Sequence, residues 1–185
     1  MDSAQIKAIC QDDTFLKKIN SQIIFEKEVP DIIEENCIYF VHIPSGQTTQ
    51  RGNDTSYFLG HWILIETLPV LKRHLPSEEK VISYLDPYGT PPSSPTFKKI
   101  KKTASLKKLA ICINSLPAQL PSTTICGGIC TYYSLLRSRG FSPTEIIKCK
   151  LSKNQRLNAQ VIPDIVNSLM PRGMRKIERF SIDFL

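Results

Sequence analysis

The chain has 185 residues, 41% of them hydrophobic, which is enough for the core of one compact domain without disulfide staples. Its 24 basic and 17 acidic residues give a net charge of +7, which favours polyanionic surroundings such as nucleic acid. No apolar run reaches the length of a membrane span, and Met1 opens a polar, helix-like stretch where a secretory leader would be apolar.

The six cysteines, Cys10, Cys37, Cys112, Cys126, Cys130 and Cys149, are even in number. The chain is large for a disulfide scaffold and shows no leader, so free thiols in a reducing, intracellular setting are expected. A zinc site is not expected. There is no C-x-x-C pair, and only His42, His61 and His74 are available to complete one.

In chain order, Ser3 to Ile19 reads as an amphipathic helix with Ile6, Ile9, Cys10, Phe15, Leu16 and Ile19 on its apolar side, capped by Asp2 or Ser3. Ile38 to Ile43 is β-branched and aromatic and reads as a buried strand. Pro44 to Asn53 is polar and glycine-containing, and reads as a loop. Tyr57 to Glu66 contains a second strand, and Val81 to Leu85 a third that stops at the turn Asp86-Pro87-Tyr88-Gly89. A proline-rich bend, Pro91 to Pro95, leads into a lysine-rich helix, and Leu109 to Ile113 reads as a fourth strand. Ile125 to Arg139 reads as a core helix ended by Gly140. Ser142-Pro143-Thr144-Glu145 carries the cap, proline and glutamate of a further helix start. A helix is expected around Pro163 to Leu169 and a short strand over Phe180 to Leu185. Together these predict a single α+β domain over residues 1–185. A mixed central sheet packs against a buried helix that carries a cysteine at its N-terminus, with further helices flanking it.

Cys126 opens that helix, followed by Gly127 and Gly128. The positive end of a helix dipole lowers a thiol pKa, and small neighbours let a substrate backbone approach. A buried cysteine is also an ordinary core residue. Against that, two consecutive helical glycines cost about 1 kcal/mol each, which a purely structural helix has little reason to carry. Cys130, one turn on, reads as core.

His61 is the candidate base, at the start of a strand and followed by the only tryptophan, Trp62, which could cover the imidazole. Standing alone, it would read as a core histidine. His42, in an apolar strand, and His74, in a charged loop, are rivals. Asp86 is the candidate acid, held by the proline turn and accepting the Nδ1 proton of His61. In isolation it is a turn-starting aspartate. Gln119, seven residues before Cys126, can donate its amide to a developing oxyanion together with the Cys126 N–H. A nucleophile, base, acid and amide donor in this order are the parts of a thiol protease. Lys98, Lys99, Lys101, Lys102, Lys107 and Lys108 form the densest basic patch. A solvated helix face accounts for it, with Phe97, Ile100 and Ala104 turned inward, and such a face can also bind DNA phosphates without sequence preference.

Gly60-His61-Trp62, Asp86-Pro87-Tyr88-Gly89, Gln119 and Cys126-Gly127 resemble the adenain family of cysteine proteases (the adenovirus endopeptidases), within the wider group that includes the SUMO-specific proteases. The seven-residue Gln-to-Cys interval, Ile6-Lys7-Ala8-Ile9 and Phe58-Leu59-Gly60 resemble adenain in particular. The likeness spans about residues 5 to 140. The acid is aspartate in place of glutamate, a charged insertion around Lys72 to Lys80 lengthens the His-to-acid interval, and Gly128 replaces a larger residue, which suggests a distant viral or mobile-element member.

The resemblance implies Cys126 as nucleophile, His61 as base, Asp86 as orienting acid and Gln119 as oxyanion donor. It implies a monomeric endopeptidase cleaving viral or element-encoded precursor proteins during particle maturation, in the host nucleus or the virion. No metal and no cofactor for the chemistry is implied, whereas an activating peptide and DNA are, with Cys112 near the place of adenain's peptide-bonding cysteine. A protease of ubiquitin-like modifiers is the alternative enzyme. An inactive protease-fold module that binds nucleic acid is the alternative outside enzymes.

Overall fold

A computed structural model describes residues 1–49, 57–70, 79–174 and 176–177. It has mixed α+β content with a mixed sheet. The strands are β1 (Asn20–Phe25), β2 (Cys37–Thr49), β3 (Tyr57–Glu66), β4 (Pro69–Val70), β5 (Glu79–Leu85) and β6 (Ala110–Ile113). β1 runs parallel to β2, β2 antiparallel to β3, β3 antiparallel to β5, and β6 parallel to β5, while β4 pairs with the first residues of β5. The helices are α1 (Ser3–Asp12), α2 (Ser94–Lys107), α3 (Cys126–Ser138), α4 (Pro143–Glu145) and α5 (Gln155–Ser168).

Strand side chains alternate between two cores, as a sheet covered on both faces requires. Ile38, Phe40, Trp62, Leu64 and Leu85 meet Ile6 and Ile9 of α1, Ile129, Cys130 and Tyr133 of α3, and Ile162 of α5. Tyr39, Val41, Ile63, Ile65, Ile82 and Tyr84 meet Ile100 and Ala104 of α2 on the other face. The helix that begins at Cys126 and the lysine-bearing helix therefore lie on opposite sides of the sheet.

Several expectations change. The first helix ends at Asp12 because the Asp13 carboxylate accepts the N–H groups of Phe15 and Leu16, at 3.0 and 2.9 Å. A short 3₁₀ turn, Leu16–Lys18, and the unexpected strand β1 follow. Pro44 to Thr49 is strand, not loop. Pro44 faces Gly60 and Thr48 faces Phe58, with an irregularity between them that accommodates the proline. α4 continues into a π turn, Ile146–Lys150, and α5 begins well before Pro163, capped by Asn154. The strand expected over 180–185, the His74 loop and most of the charged insertion lie outside the described residues.

The Glu66 carboxylate at the end of β3 and the Arg137 guanidinium of α3 are both fully buried and paired, with Nε to Oε1 at 2.7 Å and Nη2 to Oε2 at 3.2 Å. This pair ties the far end of α3 to the strand that carries His61. All six cysteines are free thiols. Among the described residues no helix is long and apolar enough to cross a membrane.

Candidate active site

Asp86 follows β5, which stops because Pro87 cannot extend it and Gly89, at φ +73, closes the turn with its N–H on the Asp86 carbonyl at 2.8 Å. A Cβ on Gly89 would also come within 2.9 Å of the Pro117 nitrogen. The Asp86 carboxylate accepts from the Tyr88 N–H and from His61 Nε2 through the same oxygen, each at 2.7 Å. Asn114 grips the Asp86 backbone from the end of β6, with its amide oxygen on the Asp86 N–H and its amide nitrogen on the Asp86 carbonyl, both at 2.7 Å. The Pro87 carbonyl accepts the N–H groups of Ala118 and Gln119, at 2.8 and 3.0 Å. The acid turn and the glutamine loop are thus one docked unit. Neither Tyr88 nor Asn114 was singled out by the sequence. The aromatic inside the proline turn was the available signal for Tyr88.

His61 bonds Asp86 through Nε2, not through the expected Nδ1. The reason is register. Leu64 faces Leu85, so Asp86 falls diagonally across from His61, and the outer ring nitrogen spans the offset. Nδ1 is buried and has no hydrogen-bond partner among the described residues. The Cys126 thiol is near enough to raise the His61 pKa, and Nδ1 is the ring nitrogen that Asp86 leaves unused. The ring stacked on His61 is Tyr88, with centroids 4.5 Å apart and planes 24° apart. Trp62 instead packs on His42 at 4.7 Å, so it does not cover the candidate base. His42 sits over Gly60, where a Cβ would fall 2.2 Å from its Nε2 and 2.6 Å from the Ile43 carbonyl. That contact accounts for the glycine beside His61.

Cys126 is buried at the first turn of α3, where the N–H groups have no intrahelical acceptor. Burial pushes its thiol up, but the nearby His61 side chain, a backbone hydrogen bond from Trp62 and the imidazolium charge bring it below the ordinary range. Burial pushes His61 down, while Asp86 and Cys126 raise it to about 9. The glycines after Cys126 are not open to a substrate. A Cβ on Gly127 would meet Met1 at 3.0 Å and Trp62 at 3.2 Å, and one on Gly128 would meet Ile177 and Ile162 at ordinary contact distance. At Gly127 the missing side chain serves close packing of the helix start on β3.

Gln119 is 1% exposed. Its amide nitrogen donates to the Thr123 carbonyl at 2.6 Å and to the Tyr88 hydroxyl at 3.2 Å, and its Oε1 has no partner. The basic patch stands apart from this cluster. Lys98, Lys101, Lys102 and Lys108 are exposed on and just after α2, and Lys107 is half-buried. Lys101 lies over the Phe97 ring at 4.5 Å, and Lys99 bonds the Val29 carbonyl and pairs with Asp31 at 3.7 Å.

These shifts carry a pH expectation. A thiolate–imidazolium pair forms as Cys126 loses its proton, below the ordinary thiol range, and lasts until His61 deprotonates near 9. Iodoacetamide should alkylate Cys126 at lower pH than it alkylates an ordinary thiol, and any peptide cleavage should fall as pH rises through about 9. A Cys126 whose alkylation begins only above the ordinary thiol range would contradict the pairing.

No protein-family model matches the sequence, and no curated protein is similar to it. Among solved structures, the crystal structure of the Se-Met ASFV pS273R protease is similar at a TM-score of 0.43 and 18% identity, over 66% of this chain and 43% of that one.

Proposed function

We propose that the chain is a thiol endopeptidase in which Cys126 attacks the scissile carbonyl, His61 holds and returns the proton, and Asp86 orients the imidazole. The observation that carries this reading is the His61 ring, fixed to Asp86 through Nε2 at 2.7 Å with its other nitrogen buried and unpartnered, near a thiol at a helix N-terminus whose pKa it lowers. Asp86 keeps the imidazole in the tautomer and orientation the reaction needs and stabilises the imidazolium. The Gln119 amide and the Cys126 N–H are the oxyanion donors of this reading. The resemblance to adenain supports precursor proteins of a virus or virus-like element as its substrates.

An electrophilic peptide probe should modify Cys126 ahead of the other five thiols, the exposed Cys149 included, as read by peptide mass mapping. Digestion of a capsid-type precursor against a ubiquitin-like fusion then separates the two protease readings. Labelling spread over the other cysteines, with none at Cys126, would remove the assignment.

Gln119→Ala should lower turnover by about 10²-fold while Cys126 alkylation stays close to wild type, because alkylation builds no oxyanion. Unchanged turnover in this variant would take Gln119 out of the mechanism.

A further inference from the structure

We propose that the Tyr88 hydroxyl is a second side-chain donor to the oxyanion formed when Cys126 attacks, beside the Gln119 amide. This rests on the thiol-protease reading above. Tyr88 touches both the base and the amide, with its ring stacked on His61 at 4.5 Å and its oxygen accepting from Gln119 Nε2 at 3.2 Å. Because that oxygen accepts from Gln119, its own hydrogen points elsewhere, and no acceptor for it is found among the described residues. A donor so placed lies beside both the base and the amide of the oxyanion donor. Burial, and then the charge of Cys126, push the phenol up, so it keeps its proton and has an O–H to donate.

Gln119 has both amide hydrogens engaged at rest. The bond to the Thr123 carbonyl is short, at 2.6 Å, and anchors the amide, while the bond to Tyr88 is the longer at 3.2 Å. The longer one yields when a stronger, charged acceptor arrives. In the step itself the sulfur forms a bond to the carbonyl carbon and the π pair moves to oxygen. The Gln119 N–H and the Tyr88 O–H then both turn to that oxygen, and no proton is transferred to it. As the C–N bond breaks, the pair on oxygen re-forms the carbonyl and the leaving nitrogen takes its proton from the His61 imidazolium.

Tyr88→Phe keeps the ring on His61 and removes only the hydroxyl. The test uses fluorescein-labelled casein as substrate, acetyl-Gly-Gly-glycinal as an aldehyde whose adduct with the thiol carries the same oxygen, and iodoacetamide as a reagent that creates none. Casein turnover should fall about 10- to 100-fold with KM nearly unchanged, and aldehyde binding should weaken in parallel. Iodoacetamide alkylation of Cys126 should stay within about twofold, because the thiolate is untouched. Should the phenylalanine variant fold poorly, Tyr88→3-fluorotyrosine supplies a more acidic donor of nearly the same size and should tighten the aldehyde complex. Equal turnover and aldehyde affinity in wild type and Tyr88→Phe would overturn the proposal. So would a loss of alkylation as large as the loss of turnover, which would make Tyr88 a support for His61 alone. A wild-type chain that is neither alkylated at Cys126 nor able to cleave casein would overturn the thiol-protease reading instead, and this inference with it.

Discussion

Cys126→Ala should abolish peptide cleavage, by at least about 10⁴-fold, with the fold intact. The size of the effect follows from the pairing with His61, which no other thiol among the described residues shares. Burial pushes the thiols of Cys10, Cys37, Cys112 and Cys130 up, Cys10 to about 11, whereas Cys126 is brought down by His61 and its surroundings. None of those four can supply a thiolate at neutral pH. The structural cost is small, since alanine keeps the helix start and removes one sulfur. Cys126→Ser should also lose nearly all turnover, because a serine hydroxyl at this site keeps the shape but not the acidity. A second readout follows from the pairing. His61 reaches about 9 partly through Cys126, so in the alanine variant it should titrate lower by NMR. Cleavage by the alanine variant at the wild-type rate would end the assignment, and an unmoved His61 titration would end the pairing.

Asp86 and Cys126 were legible because each stands at the boundary of an element, whereas His61, expected at the start of a strand, lies in the middle of β3. Asp86 is held by a proline and a left-handed glycine, and Cys126 begins a helix, and both signals are local. What the sequence could not carry is how two distant loops dock. Asn114 reaches Asp86 across 28 residues, and Tyr88 meets Gln119 across 31. Neither has a sequence neighbour that betrays the contact. The ring nitrogen facing Asp86 follows from register, which a list of strands does not contain. The fold class emerged from alternating β-branched runs. β1 escaped because its Asn-Ser-Gln-Ile-Ile-Phe has no alternation and none of its side chains is fully buried. Pro44 concealed the outer half of β2, because proline ordinarily breaks a strand and here sits at an irregularity. Trp62 follows His61 directly and was assigned to it, yet successive strand residues face opposite sides of the sheet, which places Trp62 with His42.

Arg137→Met should destabilise the chain by about 3–5 kcal/mol at neutral pH, because it leaves the Glu66 carboxylate buried without its partner. For a chain of this length that corresponds to a melting temperature lower by roughly 10 °C or more. The guanidinium also donates to the Leu68 carbonyl at 2.6 Å and to the Phe141 carbonyl at 2.5 Å, so the substitution strips donors from two further buried or half-buried groups. Burial pushes the Glu66 carboxyl up and Arg137 acts against it. With Arg137 gone only the Leu68 N–H and the Ser83 hydroxyl still oppose the upward push, and the folded variant shifts toward a protonated Glu66. The sign is then fixed. A carboxyl raised in the folded state contributes stability that is present below its unfolded pKa and lost as pH rises through the folded value. The deficit of Arg137→Met relative to wild type should therefore shrink between pH 7 and pH 5. Glu66→Met combined with Arg137→Met should recover much of the loss, since no charge is then left unpaired. Urea unfolding of the wild type and the two variants at both pH values measures all of this. A deficit below about 1 kcal/mol, or one that grows on acidification, would mean that the pair does not hold α3 to β3 in the way its geometry implies.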